Sequence, residues 1–401
     1  MNQPAFHEML TSLSSAFSPS APIDQQALFS GRLSQLIDVV NAVNQKGQHA
    51  ILYGERGVGK TSLARVLTSL TLATQKMVSA SINCDPQMTF SGLWQRVARE
   101  INFHVEKQGI GFAPDVTQQI VSAAGMLPEV VTPDDVRYMF SRLPKALIVI
   151  DELDRLEDFS VTELLADTIK TLSDHAVDVT ILLVGVADSV DSLIKEHASV
   201  ERALVQIRMP RMSPPELHDI LVKGYSKASM SIAEPARNKI ADLSQGLPHY
   251  THLLGLYAGQ RAANMGVSEV RMEHVRTAID QSLSKAQQSI IGAYHRATAS
   301  PQENLYCQVL LACALAQQDN LGTFAAVDVR EPLTRIMGRH YDIPAFAQHL
   351  NKFCESDRGP ILRKSGTARR YRFRFENPLM QPFVIMDGIK RSMISDSDVG
   401  R

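Results

Sequence analysis

The sequence predicts an α/β fold, in which a parallel sheet with helices on both faces is followed by a helical region and a smaller C-terminal domain. Short apolar runs alternate with amphipathic helical patterns through the first half of the chain, which is typical of βαβ units. The first apolar run stops at a glycine-rich turn. From Ser213 onward the pattern is helical, until two short strand patterns near the C-terminus.

The elements of the predicted sheet begin with a helix over 28–46, whose apolar residues, such as Leu33, Leu36 and Val40, recur on one face. The predicted strands are 50–53, 77–83, 146–150, 180–186 and 204–207. The predicted helices between them are 61–72, 90–101, 134–143 and 161–173. The pattern weakens over 103–133, which leaves open either an insertion that contacts a partner or an ordinary surface excursion.

The second half divides into two regions. Ser213 is predicted to cap a helix that has prolines and Glu216 in its first turn. After a break at 299–301, three helices (303–317, 329–337 and 344–355) precede a hairpin of strands 361–364 and 370–375, which is a winged helix-turn-helix pattern. The predicted divisions are an N-terminal tail 1–22, an α/β core 23–212, a helical lid 213–298, a winged-helix domain 299–390 and a C-terminal tail 391–401. The N-terminal tail is expected to be either mobile or a short docking helix, and the serine-rich stretch 392–398 is expected to be disordered.

The composition is that of a globular protein, since 44% of the 401 residues are hydrophobic and the formal net charge is −1. Any basic surface must therefore be local. No apolar run reaches the roughly 18 residues that span a membrane, and the N-terminus has no basic residue before its apolar stretch, as a secretory signal would. The four cysteines fit no zinc-ligand spacing, so we expect reduced, buried thiols and a cytoplasmic location.

A phosphate-binding loop is predicted at 54–61. The residues GERGVGKT match G-x-x-x-x-G-K-[ST] in full, between a predicted strand and a predicted helix. In such a loop the glycines let backbone amides approach phosphate, Lys60 supplies a positive charge, and Thr61 offers a hydroxyl to Mg²⁺. We therefore expect ATP and Mg²⁺ as cofactors. The residues expected around the phosphates are Gly54, Glu55, Arg56, Gly57, Val58, Gly59, Lys60, Thr61 and Ser62.

A second acidic motif strengthens this prediction. The buried run 146–150 ends in Asp151 and Glu152. Carboxylates at the C-terminal end of such a strand face the crevice where ligands bind in open α/β sheets. Asp151 can hold Mg²⁺, and Glu152 can polarise the attacking water. The two motifs together favour ATP hydrolysis over binding alone.

With these motifs, the segment 29–248 resembles the AAA+ ATPases, and within them the origin-recognition initiator ATPases and the related STAND branch. Residues 29–32 (FSGR) resemble the F-x-G-R entry motif, whose chain passes beside the adenine, and Arg32 is expected there. The resemblance implies that 54–61 is the Walker A motif and that Asp151 and Glu152 form the Walker B motif.

The resemblance also implies residues that read the γ-phosphate. The strand before Asp188 resembles the sensor-1 strand, although the family often has Asn where Asp188 stands, and an Asp accepts but does not donate. Arg202 lies before the last strand, where the family places an arginine finger that acts on ATP of the neighbouring subunit; Arg208 and Arg211 are alternatives. A homo-oligomer is therefore implied.

A lid motif completes the resemblance. Gly246-Leu247-Pro248 matches the G-x-P motif of STAND and initiator-like proteins, which places Pro248 at a lid helix over the nucleotide. His249 stands next, where it either contacts phosphate or is buried as a capping residue, and no sensor-2 arginine is found there. Together with Asp188, this predicts slow or regulated hydrolysis.

A basic stripe is predicted on the C-terminal hairpin. Alternation along the strand puts arginines on one face, while Tyr371, Phe373 and Phe375 bury on the other. The arginine face suits DNA phosphates, and a solvated face or a protein-docking face stays open as an alternative. The expected DNA-binding residues are Arg363, Lys364, Arg369, Arg370, Arg372 and Arg374.

These features predict an AAA+ ATPase that binds and hydrolyses Mg·ATP and regulates assembly on DNA or with a partner protein. Two alternatives stay open. One is a STAND-like, ATP-dependent switch in anti-phage defence that oligomerises with a separate effector protein. The other is a nucleotide-gated scaffold that does not hydrolyse ATP.

Overall fold

The computed structural model of the chain describes residues 3–19, 31–74, 77–108, 116–186, 200–299, 305–319, 321–367 and 370–399. Its strands are β1 (His49–Tyr53), β2 (Val78–Asn83), β3 (Asn102–Gln108), β4 (Val116–Ser122), β5 (Ala146–Asp151), β6 (Val179–Gly185), β7 (Leu204–Arg208), β8 (Ser231–Ile232), β9 (Glu269–Val270), β10 (Phe324–Ala325), β11 (Leu362–Ser365) and β12 (Arg372–Phe375).

The α-helices of the described residues are α1 (Gln3–Ala16), α2 (Leu33–Asn44), α3 (Lys60–Thr74), α4 (Phe90–Glu100), α5 (Pro133–Phe140), α6 (Phe159–Asp174), α7 (Pro214–Lys227), α8 (Glu234–Ser244), α9 (Pro248–Asn264), α10 (Met272–Ser284), α11 (Gln288–Thr298), α12 (Tyr306–Leu315), α13 (Ala326–Met337), α14 (Ile343–Lys352) and α15 (Met380–Lys390). None of the described helices is both long enough and apolar enough to cross a membrane.

A five-stranded parallel sheet of order β2-β5-β6-β1-β7 forms the core, which confirms the predicted α/β class. Alternate residues of β1 enter two different hydrophobic clusters: Ile51 joins the one containing α4 and α6, while Ala50 and Leu52 join the one containing α2 and α3. The sheet therefore carries helices on both faces. Its parallel strands bring the ends of β1 and β5 to one edge, where the nucleotide site is predicted.

The helices after the sheet share one hydrophobic cluster with the N-terminal helix and the C-terminal elements. Within it, α1 packs on α7 and α9, and the ring of Phe17 lies against Gly224 and Gly255. Of the two alternatives predicted for the N-terminal tail, the docking helix is the one that the structure has over Gln3–Ala16. Because this hydrophobic cluster is continuous, it does not mark domain boundaries at 213 and 299, and these boundaries stay predictions.

The C-terminal region contains the predicted hairpin, with β11 and β12 antiparallel, and a third short strand, β10, completes the order β10-β12-β11. The helix α15 follows the hairpin and is buried nearly all round from Met380 to Met386. The prediction of disorder over 392–398 is wrong, since a turn links Ser395 to Asp398, and Val399, which follows, is buried. The winged-helix assignment of this region stays a prediction.

The weakly patterned segment 103–133 contains the antiparallel pair β3–β4. It is followed by α5, which Thr132 and Asp135 begin with a reciprocal capping box. A role of this hairpin in partner contact stays a prediction.

Candidate nucleotide-binding site

The loop between β1 and α3 has the backbone of a phosphate cradle. Gly57 and Gly59 have φ of 88° and 97°, a left-handed conformation that side-chain-bearing residues rarely adopt. These two turns fold the loop back on itself before α3 begins at Lys60. The loop therefore ends in a helix N-terminus, whose unpaired amides suit an anion.

Lys60 lies folded onto this loop. Its Nζ donates to the carbonyl oxygens of Gly54, at 3.0 Å, and Glu55, at 2.8 Å. Burial lowers the pKa of Lys60 to about 8, against the opposing attraction of Asp154 and Asp151. Within the described part of the chain the ammonium donates hydrogen bonds to neutral carbonyls, which it can exchange for phosphate oxygens.

Thr61 and Asp151 meet directly, although 90 positions separate them in the chain. The Thr61 hydroxyl donates to Asp151 Oδ2 at 2.7 Å, and the backbone amide of Glu152 donates to Oδ1 at 2.7 Å. Burial raises the pKa of the Asp151 carboxyl, while these two hydrogen bonds oppose the rise. A hydroxyl and a carboxylate are hard oxygen ligands, so this pair fits Mg²⁺.

Glu152 directly follows β5 in a left-handed conformation, with φ of 57° and ψ of 40°. Such strain clusters at functional sites. Its carboxylate pairs with Arg155 at 2.9 Å, and both side chains are partly exposed. Glu152 therefore reaches the edge of the site with one carboxylate oxygen already engaged by a guanidinium.

A cavity of about 290 Å³ joins these residues to the lid. Pro248 begins α9 and lines the cavity beside His249, and the contact of either residue with a nucleotide stays a prediction. His249 Nδ1 lies 2.8 Å from the Pro19 carbonyl oxygen, and burial lowers the pKa of His249. Burial also lowers the pKa of His252 to about 4, so both imidazoles are neutral at pH 7. They give the cavity an uncharged wall on the side of α9.

Two residues of the N-terminal segment, Ser18 and Pro19, also line this cavity. They are not predicted from the sequence, because no motif marks a segment that reaches the site through the docking of α1. The one available signal is the aromatic and proline pair Phe17 and Pro19 after an amphipathic stretch.

Arg32 is buried and lines the same cavity. Its Nη2 donates to the carbonyl oxygens of Val58, at 3.3 Å, and Pro210, at 2.5 Å, while its amide donates to Glu216 at 3.2 Å. Arg32 thus connects the phosphate loop to the end of β7 and the start of α7. Burial lowers its pKa, with the carboxylate of Glu216 opposing.

The three arginine-finger candidates lie in different places. Arg202 is exposed and precedes β7. Because β7 runs parallel to β1, Arg202 lies near the N-terminal ends of the strands, whereas the phosphate loop of the same chain follows the C-terminal end of β1. Arg211 is committed within the chain, since it pairs with Glu55 at 2.5 Å. Arg208 lies at the loop end of β7, where it lines a second cleft. Arg202 is the exposed one of the three, and a role for any of them as an arginine finger stays a prediction.

A polar junction around Arg211, which no sequence motif predicts, joins the phosphate loop, the start of α9 and the C-terminal region. Besides Glu55, Arg211 Nη1 donates to the Gln245 carbonyl oxygen at 3.1 Å and to Gln381 Oε1 at 2.6 Å. Gln381 Nε2 donates in turn to Gln245 Oε1 and to the Ala314 carbonyl oxygen, at 3.1 and 2.8 Å. The C-terminal region is therefore docked on the phosphate loop.

The hairpin arginines do not form one open stripe. Arg372 bonds Thr323 and Asp319, with its Nη2 3.0 Å from Asp319 Oδ2. Arg363 and Arg374 line the cleft that faces the phosphate loop. Of the aromatics, Phe373 and Phe375 are buried as predicted.

The prediction that Tyr371 is buried is wrong. Tyr371 is 38% exposed, and Lys364 Nζ lies 3.7 Å from its ring centroid. Tyr371 precedes β12, so the alternation that buries the two phenylalanines has not yet begun there. Arg370 is exposed beside it. DNA contact by any of the hairpin residues stays a prediction.

Several predicted residues lie outside the described part of the chain. They are Phe29 and Ser30 of the entry motif, the sensor-1 candidate Asp188, and Arg369 of the hairpin.

Comparison with known proteins agrees with this geometry. Residues 43–194 match the family model described as AAA domain. The fold is similar to that of the ORC2 protein of Aeropyrum pernix, solved in complexes with ADPNP and ADP, at 15% identity and a TM-score of 0.52, over 94% of this chain and 97% of that one. It is also similar to a Walker-type ATPase of Pyrococcus abyssi, at 14% identity and a TM-score of 0.53, over 91% and 98% of the two chains. No curated protein matches the chain in sequence.

Proposed function

We propose that this chain, a P-loop AAA+ protein with an initiator-like fold, binds and hydrolyses Mg·ATP and uses the nucleotide state to regulate assembly on DNA or with a partner protein. One observation carries the proposal: the Thr61 hydroxyl and the Asp151 carboxylate, 90 positions apart, meet at 2.7 Å beside Lys60. The ADPNP and ADP complexes of the A. pernix ORC2 protein support a nucleotide as the ligand.

Each residue of the site has a distinct role in this proposal. The loop amides and Lys60 bind the phosphates, and Thr61 and Asp151 hold Mg²⁺, which when bound would neutralise charge on the phosphate oxygens. Glu152 accepts a proton from the attacking water. Pro248 and the neutral His249 close the lid side of the cavity and exclude bulk water.

Turnover measurements on Glu152→Gln test hydrolysis. The substitution keeps the shape of the side chain and removes its basicity, so we expect ATP binding to persist and phosphate release to fall on the order of a hundredfold or more. Lys60→Ala is the matched control and should lose ATP binding itself. Unchanged turnover in Glu152→Gln would refute the role of Glu152. Binding without turnover in the unmodified chain would favour the scaffold instead.

Regulation is proposed to act through the Glu152–Arg155 ion pair, because the guanidinium competes for the carboxylate that activates water. An exposed pair of this kind is a weak interaction. Arg155→Ala should therefore raise kcat by up to about fivefold with little change in KM. A fall in kcat would instead indicate that Arg155 holds Glu152 in its working position.

Arg202 is proposed to act on the nucleotide of a neighbouring copy, which requires a homo-oligomer. Arg202→Ala and Lys60→Ala should each be inactive alone. Mixing them should restore part of the activity, because some interfaces then combine an intact loop with an intact arginine. Continued inactivity of the mixture, with assembly retained, would exclude this role.

A STAND-like switch that assembles with a separate effector is a second candidate, favoured by the contact between the C-terminal region and the phosphate loop. The Leu379 side chain lies against Gly57, and Tyr250 of the lid donates to the Leu379 carbonyl oxygen at 2.8 Å. Such docking suits a closed state that nucleotide exchange opens. Light scattering of Glu152→Gln with ADP and with ATP tests it: the switch requires larger assemblies with ATP and no dependence on DNA.

A further inference from the structure

One buried side chain of helix α9, His252, has no hydrogen-bond partner for either ring nitrogen among the described residues. The residue is 5% exposed, and it lines the cavity that the phosphate loop shares with α9. Buried polar side chains of native proteins are nearly always hydrogen-bonded. An unpaired imidazole in a cavity wall therefore indicates a ligand that completes its hydrogen bonds.

The position of His252 along α9 suits the base of a nucleotide rather than its phosphates. Pro248, the first residue of α9, lies against Gly59 of the phosphate loop. His252 follows one turn later, about 6 Å further along the helix axis. The cavity wall also includes the buried side chains of Met212 and Ile220, which offer no charge to a phosphate but can pack on the flat face of a base.

The chemistry of His252 matches one group of adenine. Its imidazole is neutral at pH 7, because burial lowers its pKa to about 4 and the neighbouring His249 adds to the lowering. A neutral imidazole has one nitrogen that accepts a hydrogen bond, whereas the Nε of Arg32, the other unpaired buried nitrogen that lines the cavity, can only donate. The 6-amino group of adenine donates, and its ring nitrogens accept. Of these two groups, His252 is therefore the one that can serve the amino group.

The imidazole of His252 is held in place by the end of the N-terminal segment. The ring of Phe17 lies edge-on to it, with the ring centroids 6.0 Å apart and the planes at 68°. Phe17 is itself fully buried and packs on Tyr225, at a centroid distance of 4.9 Å. A side chain that packing has already fixed loses little conformational entropy when it binds a ligand.

We propose that His252 determines the base specificity of the nucleotide site by accepting a hydrogen bond from the 6-amino group of adenine, and that Phe17 positions its ring. The proposal deepens the function proposed above and rests on it for the nucleotide itself. It makes the N-terminal segment part of the site, because Phe17 acts through His252 and the next two residues, Ser18 and Pro19, line the cavity.

Calorimetric titration of the full chain with Mg·ADP and with purine riboside diphosphate, which lacks the 6-amino group, tests the proposal. We expect the unmodified chain to bind the analogue roughly tenfold more weakly than ADP. In His252→Phe, which keeps a flat ring but has no acceptor, the two ligands should bind within about twofold of each other. Thr251→Val is the matched control, because Thr251 is the adjacent buried polar residue of α9, bonds Ser244 and does not line the cavity. It should keep the full preference for ADP.

A separate variant tests the positioning role. Phe17→Leu keeps an apolar side chain but removes the flat ring beside His252, so the preference for ADP should fall to about threefold. A merely structural role of Phe17 would lower stability and leave this ratio unchanged. An unchanged ratio in a folded Phe17→Leu protein would therefore overturn the positioning role.

The outcomes separate this inference from the proposed function. Equal affinity of the unmodified chain for ADP and the analogue overturns the inference, and this measurement does not depend on whether any variant folds. The inference is overturned equally if a folded His252→Phe protein keeps the full preference, or if Thr251→Val loses it. Equal affinities together with ATP turnover that depends on Glu152 would leave the proposed function standing alone. A chain that binds neither nucleotide would contradict the proposed function itself. Thermal melting of each variant identifies a loss caused by unfolding.

Discussion

We expect Arg211→Met to lower the free energy of unfolding more than a substitution that breaks an exposed ion pair. The guanidinium binds Glu55 with two contacts, at 2.5 and 3.3 Å, and the two side chains are 21% and 15% exposed. Arg211→Met fills a similar volume but leaves the Glu55 carboxylate without its partner. The Gln245 and Gln381 oxygens each lose a donor as well.

The size of the effect follows from burial. Breaking a fully buried pair costs about 3–5 kcal/mol, whereas exposed pairs contribute about 0.2–1 kcal/mol. Since the Arg211–Glu55 pair is mostly but not fully buried, we expect the free energy of unfolding to fall by about 2–4 kcal/mol. Adding Glu55→Gln removes the stranded charge, so the double variant should recover about 1–2 kcal/mol of that loss.

Urea unfolding of the single and double variants measures both quantities. Lys223→Met is the matched control, because it breaks the exposed pair with Asp219, and it should change stability by less than about 1 kcal/mol. A loss under about 1 kcal/mol in Arg211→Met, or a double variant less stable than the single one, would refute the stranded-charge explanation.

Three further results are expected. The pKa of Lys60 is lowered to about 8, so at pH 8 about half of the free protein has this side chain neutral. Since bound phosphate favours the charged form, ATP binding at pH 8 should be accompanied by uptake of about half a proton by Lys60, and the affinity for ATP should fall as the pH rises further. Calorimetry in buffers of different ionisation enthalpy measures the uptake, and equal apparent enthalpies would contradict it. Phe17→Ala should lower the free energy of unfolding by about 3–5 kcal/mol and speed hydrogen exchange in α1, since the ring is fully buried against Gly224; unchanged exchange would show that α1 docks without it. Gly322→Ala should lower the free energy of unfolding in urea by about 1–3 kcal/mol, because φ is +70° and the new methyl would meet the Glu55 carboxylate. If Glu55→Ala relieves this loss, the clash with Glu55 rather than backbone strain is its cause.

Local patterns were enough for the elements of the sheet. The run predicted as a strand over 146–150 is β5, Ala146–Asp151, and the helix predicted over 90–101 is α4, Phe90–Glu100. Buried parallel strands are continuous apolar runs and surface helices have an apolar stripe, so both periods can be read without knowing their neighbours. The phosphate loop is equally local, because its glycines and Lys60 are consecutive.

Elements without a local period were missed or misread. The helix α15 is buried on nearly every side, so it has no polar face to mark its period. The strand β10 has two residues and exists only by pairing with β12. Tyr371 was expected in the core because it continues an alternation that begins only at Arg372.

The sequence by itself determined the phosphate loop, the acidic strand end and the α/β class, because each depends on residues adjacent in the chain. The tertiary structure decided which distant groups meet. It brought Thr61 to Asp151, docked the C-terminal region on the loop through Arg211, and turned Arg363 and Arg374 toward the cleft. Such contacts depend on how helices and strands pack against one another, and side-chain burial, charge pairing and pKa follow from that packing rather than from position in the chain.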